Sequence, residues 1–301
     1  MKKNNLNQEL NLSLPNNISV FIKREDLLHP FISGNKYRKL KYNLLQAKEE
    51  GKTKIITFGG AFSNHIAATA FAGKEYCFET IGIIRGEELQ NKFSDNPTLA
   101  YAKENGMKFE FVSREEYREK DSVIFFEKLK NKYNGFYFLP EGGTNELAIK
   151  GCEEILSEQD KSFSHICCAV GTGGTIAGIC NSASPNQKII GFPALKGEFL
   201  SNDICNFAPN KNFELIQDYH FGGYAKINEE LIRFMNEFYK TTNVLLDPIY
   251  TGKMMFGILD LIKKGYFPEK SKILAIHTGG IQGIAGMNEK LKNKNLPLIE
   301  I

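Results

Sequence analysis

The chain has 301 residues, of which 42% are hydrophobic and 24% are charged. This is the balance of a globular protein large enough to bury a core without disulfides or metals. The 38 Lys and Arg residues exceed the 35 Asp and Glu residues by only three, which excludes nucleic acids and membranes as partners attracted by charge alone. No stretch approaches the roughly 20 apolar residues that a membrane-spanning helix needs.

The six cysteines have neither a C-x-x-C spacing nor a paired framework, so we expect them to be reduced and mostly buried. The N-terminal residues lack an apolar core of signal-peptide length. Both features favour a cytoplasmic protein, and we expect no metal site.

Short runs rich in β-branched or aromatic residues alternate with segments of helical periodicity. The predicted strands, in chain order, are Lys54–Phe58, Thr80–Ile84, Lys108–Val112, Phe136–Leu139, His165–Val170, Lys188–Phe192 and Lys272–Ile276. The predicted helices are Tyr37–Glu50, His65–Ala72, Pro97–Glu104, Glu115–Lys130, Glu146–Leu156, Glu229–Tyr239, Lys253–Lys263 and Gln282–Leu291. Gly51, Gly106 and Gly265 follow helical segments, where a C-terminal cap belongs. The alternation is typical of mostly parallel sheets with helices on both faces.

Four glycine-rich turns follow predicted strands: Gly59–Asn64, Glu141–Asn145, Gly171–Thr175 and His277–Gly280. Ligands of open α/β sheets bind beyond the carboxyl ends of the strands. The four turns therefore indicate one composite site at that edge.

The turn Gly171–Thr175 (GTGGT) follows an apolar strand and precedes a helical segment. Its consecutive N–H groups and the positive end of the helix could hold a phosphate without side-chain charge. It is neither a Walker loop nor a G-x-G-x-x-G turn. By itself it indicates either a phosphate site or a plain tight turn between strand and helix.

Lys36 ends the turn Ser33-Gly34-Asn35 and opens a predicted helix. The helix dipole disfavours an ammonium at this end, and a lysine of lowered pKa suits Schiff-base chemistry. By its position alone, however, Lys36 is better interpreted as one of the many lysines on the protein surface.

The segment Ser33–Leu40 (SGNKYRKL) resembles the cofactor-lysine motif of the 1-aminocyclopropane-1-carboxylate (ACC) deaminase / D-cysteine desulfhydrase family. Matches in family order cover about residues 20 to 285: Lys23–Asp26, Gly59–His65, Pro140–Gly143, Gly171–Thr175, Asp247–Lys253 and His277–Gly280. The resemblance implies the α/β fold of pyridoxal-phosphate (PLP) enzymes of fold type II, which is similar to tryptophan synthase β. It implies mostly parallel sheets flanked by helices, and PLP in a cleft between a small domain, 41–149, and a large domain, 1–40 plus 150–301.

The resemblance also implies roles for individual residues. Lys36 would bind the cofactor covalently and later move a proton, and Asn64 would hydrogen-bond the cofactor's phenolic oxygen. Ser63 would contact the substrate carboxylate or assist proton transfer, and it could also cap the following helix. The phosphate would be held by Gly171, Thr172, Gly173, Gly174 and Thr175.

Tyr224 and Tyr250 resemble the two active-site tyrosines of the family, which relay protons or stack on the cofactor. Tyr224 lies in a loop outside the clear motifs, so a packing role is an equal alternative.

Two positions distinguish the activities of the family. The resemblance places Thr251 opposite the pyridine nitrogen and Thr278 nearby as a further cofactor contact, where ACC deaminases carry Glu and Leu. A hydroxyl cannot keep that nitrogen protonated as a carboxylate does, and β-elimination needs less of this electron sink than cyclopropane opening. Thr251 therefore favours elimination, unless the difference is variation without consequence.

We expect an enzyme that converts D-cysteine, or a similar β-substituted amino acid, into pyruvate, ammonia and sulfide. The alternatives are ACC deamination, elimination or racemisation of another amino acid, and a catalytically inactive ligand-binding protein on the same scaffold. The expected partners are a small amino-acid substrate and a second copy of the chain in a homodimer.

Overall fold

The computed structural model describes residues 6–195, 200–208 and 212–301. Its strands are β1 (Asn7–Glu9), β2 (Ser19–Lys23), β3 (Lys54–Gly59), β4 (Glu79–Arg85), β5 (Lys108–Val112), β6 (Phe136–Leu139), β7 (His165–Val170), β8 (Lys188–Pro193), β9 (Phe213–Leu215) and β10 (Lys272–Ile276). Its α-helices are α1 (Asn35–Glu49), α2 (Asn64–Tyr76), α3 (Pro97–Glu104), α4 (Arg114–Arg118), α5 (Val123–Lys132), α6 (Glu146–Glu153), α7 (Gly174–Ser182), α8 (Leu200–Phe207), α9 (Glu229–Thr242), α10 (Thr251–Lys263) and α11 (Gly283–Lys292).

A four-stranded sheet has the order β5-β4-β3-β6, and each of its pairings is parallel. Its two central strands read as nearly continuous apolar runs, because helices and their own loops cover both faces. Ile56, Phe58, Ile81 and Ile83 are buried in a core on one side of this sheet, together with Phe125 of α5. All four strands lie within the range 41–149, although the division of the chain into domains stays a prediction.

A six-stranded sheet has the order β1-β2-β10-β7-β8-β9. Only the edge strand β1 pairs in the antiparallel sense, with β2, and the other pairings are parallel. Every residue of the central strand β7 is buried, as its sequence HICCAV requires. This sheet joins the N-terminal part of the chain to its C-terminal part, because β2 pairs with β10.

Each of the seven predicted strands is confirmed, with its ends within one residue of the prediction. Three further short strands, β1, β2 and β9, were not predicted. The single helix expected over Glu115–Lys130 is wrong, because two helices, α4 and α5, occupy this region. Ser122 interrupts it, since its hydroxyl accepts a hydrogen bond from Phe125 N at 3.2 Å and caps α5. Gly51, Gly106 and Gly265 have positive φ just beyond helix ends, which confirms them as caps.

The cysteines Cys152, Cys167, Cys168 and Cys180 are buried, and none of the six forms a disulfide within the described residues. Across the same residues, no helix combines the length and the apolar character needed to cross a membrane. The carboxyl ends of β3, β4 and β6 from one sheet, and of β7 and β10 from the other, face a common cavity.

Candidate active site

The cavity between the carboxyl edges of the two sheets has a volume of about 470 Å³. Polar side chains and glycine backbone form much of its surface. Ten of the residues proposed from the sequence line it: Lys36, Ser63, Asn64, Gly171, Thr172, Gly173, Thr175, Tyr224, Tyr250 and Thr278. Gly174 and Thr251 do not.

Lys36 occupies the first turn of α1 and directs its amine into the cavity. Its Nζ donates a hydrogen bond to the carbonyl oxygen of Gly142 at 2.9 Å. Burial lowers the pKa of Lys36 well below its usual value, and the nearby ammonium of Lys39 lowers it further. A lowered pKa favours the neutral form of the amine, which is the form that acts as a nucleophile or a base.

The turn before Lys36 is fixed by a close approach of two backbones. Gly34 has a φ of +60°, and a Cβ at this position would lie 1.9 Å from the carbonyl oxygen of Thr278. The N–H of Asn35 donates to that same oxygen at 3.2 Å. Only glycine fits between the two segments, so the turn after β10 determines where α1 begins.

The turn after β7 forms a cradle of backbone at the start of α7. Gly173 has a φ of +80° and is the residue just before the helix. Thr175 of α7 receives a hydrogen bond at Oγ1 from Asn35 Nδ2 at 2.8 Å, which joins the cradle to the lysine turn. Gly174 begins α7, and although its side of the turn does not face the cavity, its N–H belongs to the free amino end of the helix.

Ser63 and Asn64 lie at the start of α2, directly after the turn that follows β3. The Ser63 hydroxyl accepts a hydrogen bond from Ile66 N at 3.3 Å, which confirms it as a helix cap. Asn64 Oδ1 accepts from Gln282 Nε2 at 3.1 Å, so its carboxamide is oriented by the loop before α11. Both side chains therefore reach the cavity from a rigid helix end.

Tyr224 and Tyr250 lie together, with ring centroids 6.3 Å apart in an edge-to-face arrangement. A Cβ on Gly171 would lie 3.2 Å from the Tyr250 ring, so this tyrosine packs directly on the glycine turn. Burial raises the pKa of Tyr224 to about 12 and raises that of Tyr250 well above its usual value. Both phenols are thus neutral hydrogen-bond donors at physiological pH.

Thr251, which the resemblance places opposite the pyridine nitrogen, is not among the residues that line the cavity. Its side chain is fully buried, and its hydroxyl donates to Asp247 Oδ1 at 2.8 Å while accepting from Asp247 N at 2.8 Å. The carboxylate of Asp247 caps the start of α10 and holds the threonine inward. Of the two positions that distinguish the activities, Thr278 alone contributes to the cavity surface.

Two buried residues of the cavity were missed by the sequence reasoning. Lys39 is 2% exposed, and its Nζ donates to Gly142 O at 3.2 Å and to Thr144 Oγ1 at 2.9 Å. His65 bonds Thr57 through Nε2 at 2.8 Å, whereas its buried Nδ1 has no partner in the described part of the chain. Lys39 lies one helical turn after Lys36, so helical spacing was the signal that could have found it.

Three further charged lining residues belong to the wall formed by the four-stranded sheet: Arg85 at the end of β4, Lys120 after α4, and Glu141 after β6. Asp203 of α8 also lines the cavity. No glycine motif marks Arg85 or Lys120, and they are brought together by the fold alone.

The residues of the site have the chemistry that pyridoxal phosphate requires. A buried amine of lowered pKa is available for a carbonyl group, and a side-chain-free cradle of N–H groups is available for a phosphate. A third group, the carboxamide of Asn64, reaches the cavity between them.

Comparison with known proteins adds independent findings. The sequence pattern of the family described as pyridoxal-phosphate dependent enzyme matches residues 3–279. A protein of Pyrococcus horikoshii, provisionally assigned as an ACC deaminase, is 33% identical over 93% of this chain and 90% of its own length. The bifunctional D-cysteine desulfhydrase / ACC deaminase of Arabidopsis thaliana, a mitochondrial protein, is 32% identical over 90% of this chain and 74% of its own. The crystal structure of an ACC deaminase homologue superposes with a TM-score of 0.77 at 30% identity, covering 96% of this chain and 95% of the other.

Proposed function

Because this chain belongs to the family of pyridoxal-phosphate-dependent enzymes, we propose that it catalyses α,β-elimination of D-cysteine, or of a similar β-substituted amino acid, to pyruvate, ammonia and sulfide. The observation that carries this proposal is the buried Lys36 amine of lowered pKa, which shares one cavity with Ser63, Asn64 and the glycine cradle. The bound cofactor supplies an electron sink for the negative charge that develops at the substrate's α-carbon.

In this proposal the cavity residues divide into holding and proton-moving groups. The N–H groups from Gly171 to Thr175 hold the phosphate, and Asn64 donates to the phenolic oxygen. Ser63 binds the substrate carboxylate at the start of α2, where the helix dipole also favours an anion. Lys36 holds the cofactor and takes the proton from the α-carbon, for which a neutral amine is required.

The neutral phenols Tyr224 and Tyr250 are placed to donate a proton to the leaving group. Their raised pKa values keep the proton on the oxygen until a stronger base forms beside them. The two rings pack edge-to-face on each other, and Tyr250 also packs on the Gly171 turn.

The side chain of Thr278 supports elimination over ring opening. Its hydroxyl lines the cavity at the turn after β10, and the hydroxyl of Thr251 is directed to Asp247. Within the described residues, the lining side chains that carry a carboxylate are Glu141 and Asp203, which lie outside the motifs expected near the ring nitrogen. A D-cysteine desulfhydrase of Yersinia pestis is 28% identical over 87% of this chain.

ACC deamination is the second candidate function. The identity to the Pyrococcus horikoshii protein and the superposition on the ACC deaminase homologue favour it. Both reactions need the same cradle and the same lysine, so these features support either one.

The deciding experiment measures pyruvate release by the PLP-loaded protein from D-cysteine, L-cysteine and ACC side by side, with sulfide measured in parallel. We expect turnover of D-cysteine with equal release of pyruvate and sulfide. Turnover of ACC alone would replace elimination by deamination, and turnover of none of the three would overturn the proposed reaction.

We further propose that the protein acts in the cytoplasm. A reducing compartment such as the cytoplasm suits the free cysteines, four of which are buried. We also propose a homodimer, which sedimentation of the PLP-loaded protein tests directly.

A further inference from the structure

The wall formed by the four-stranded sheet carries a cluster of charged side chains that the reaction above leaves without a role. Arg85 ends β4, Tyr117 lies in α4 after β5, and Glu141 follows β6. All three positions follow carboxyl ends of parallel strands, which brings them to the same edge of the sheet. Lys120 completes the cluster, which we call the charged wall.

Tyr117 is the centre of the charged wall. Its ring is buried, and the cationic groups of Arg85 and Lys120 each lie 5.6 Å from the ring centroid. Its phenol donates to Glu141 Oε1 at 2.8 Å, and Lys120 Nζ lies 3.5 Å from Glu141 Oε2. One buried aromatic ring therefore lies beside two cations and one carboxylate of the cavity. Lys120 Nζ also lies 3.0 Å from Oδ2 of the exposed Asp121, so Arg85 is the less engaged of the two cations.

The guanidinium of Arg85 is available to a ligand. Among residues 6–195, 200–208 and 212–301, no side chain or backbone group forms a hydrogen bond or ion pair with it. Its Nη2 lies 3.6 Å from the position that a Cβ on Gly60 would take, so it extends over the turn that leads to Ser63. Arginine binds oxyanions through two parallel N–H groups, and such charge-assisted bonds are the stronger ones.

The cofactor phosphate does not account for these cations. The cradle for that phosphate lies at the start of α7 on the six-stranded sheet, and Lys39 is the cation beside it. A Cβ on Gly174 would lie 3.0 Å from Lys39 Nζ, which places this ammonium at the cradle. Arg85 and Lys120 extend instead from the opposite sheet, on the side of Ser63 and Glu141.

We propose that Arg85 and Lys120 bind an anionic group on the β-substituent of the substrate. This inference rests on the proposed elimination and extends its substrates from D-cysteine to amino acids whose β-carbon carries a sulfonate or a phosphate ester. Tyr117 positions the two cations, and its bond to Glu141 keeps that carboxylate away from the arriving anion.

The chemistry of this class balances with water as the one further reactant. The α-proton passes to the amine of Lys36, and the bond between Cβ and the sulfur or oxygen of the substituent breaks. Both electrons of that bond leave with the substituent, as sulfite or phosphate. The remaining 2-aminoacrylate takes up water and yields pyruvate and ammonia.

The test compares O-phosphoserine with O-acetylserine, each as both enantiomers, through the ratio of their kcat/KM values for pyruvate release. We expect the wild-type enzyme to favour the phosphate ester, and Arg85→Gln to lower the ratio by at least about tenfold, the value of one charge-assisted bond. Arg114→Gln is the matched control, because Arg114 pairs with Glu88 on the surface and lies outside the cavity lining. It should change the ratio by less than about twofold.

A binding measurement separates this inference from the proposed reaction. The affinity for O-phosphoserine is measured by calorimetry in the PLP-loaded Lys36→Ala protein, with and without Arg85→Gln. Loss of at least about tenfold in affinity supports the charged wall even where no pyruvate forms from any amino acid, which would overturn only the proposed reaction. Turnover of D-cysteine without preference for the anionic substrate, or equal affinities with and without Arg85, would overturn the inference and leave the reaction standing.

Discussion

The two walls of the cavity recognise ligands in different ways. The wall from the six-stranded sheet consists of glycine backbone and hydroxyls: the cradle before α7 and the turn at Thr278. The wall from the four-stranded sheet presents Arg85, Lys120 and Glu141. Backbone N–H groups cannot be replaced without changing the fold, whereas charged side chains can change while the sheet behind them stays intact. The first wall therefore suits a constant cofactor, and the second suits a substrate that differs between relatives.

Lys36 lies where the two walls meet, and its loss should have the largest effect. Lys36→Ala removes the amine that holds the cofactor and moves the proton, so turnover should fall by at least about 10³-fold and the visible absorbance of lysine-bound cofactor should disappear. Lys41→Ala is the control on the same helix, since Lys41 pairs with Glu154 at the surface. A Lys36→Ala protein that retained both absorbance and turnover would remove the basis of the proposed function.

The backbone wall is tested by adding a single methyl group. Gly34→Ala places a Cβ against the Thr278 carbonyl in a left-handed conformation, so we expect the free energy of unfolding to fall by about 3 kcal/mol or more. Gly51→Ala is the matched control, because Gly51 has a φ of +65° with no atom within 4 Å of the added Cβ. It should cost only about 1 kcal/mol. If urea denaturation showed equal losses of unfolding free energy in the two variants, the close approach of Gly34 to Thr278 would make no contribution to stability.

The hydroxyls of this wall differ in what they contact. Thr251→Val should lower the free energy of unfolding by about 1–3 kcal/mol, because it leaves the buried N–H of Asp247 without its acceptor and removes one hydrogen bond from the Asp247 carboxylate. Thr278→Val should instead change the absorbance of the bound cofactor, since this hydroxyl lines the cavity. A Thr251→Val protein with an altered cofactor spectrum and unchanged stability would instead support the ring position that the resemblance implies for Thr251.

The smallest expected effect is a displacement of the pH profile for attachment of PLP to Lys36. Lys39→Met removes a neighbouring ammonium that lowers the pKa of Lys36, so that pKa should rise, although burial, the larger cause of its depression, stays. A higher pKa means that the neutral amine forms only at higher pH. When the rate of PLP attachment to the apo protein is plotted against pH, the acidic limb should therefore move to higher pH in Lys39→Met. In the control Lys41→Met the limb should not move. Displacement to lower pH would contradict the Coulombic role of Lys39.

Local patterns predicted much of the fold because the parallel strands are buried and read as apolar runs. The strand β2 escaped this reasoning because its pairing with β10 joins segments about 250 residues apart, from Ser19 to Lys272. The break between α4 and α5 was missed for a different reason. Residues 119–122 separate the two helices, and the cap from Ser122 to Phe125 is a local signal that the sequence contains. Only the first failure concerns an interaction that no short window of sequence contains.

The site could be predicted where glycine and its neighbours determine the backbone, as at Lys36, Ser63 and the cradle. It failed at Thr251, because the direction of that side chain depends on the Asp247 carboxylate and not on its place in a motif. It also failed for Arg85 and Lys120, which lie 35 positions apart and meet only through the ring of Tyr117. Side chains from separate strands converge only when the sheet has formed.

Two contacts described above, between β2 and β10 and between the Gly34 turn and Thr278, also bear on the order in which the enzyme folds during translation. Strand β10 is synthesised after every other strand of the described chain. Until it and the following turn emerge, the segment before Lys36 lacks the Thr278 backbone against which Gly34 packs. A nascent chain that ends before residue 272 would carry the reactive lysine without the turn that holds it. Catalytic competence thus arrives late in translation, when the two ends of the polypeptide join in one sheet.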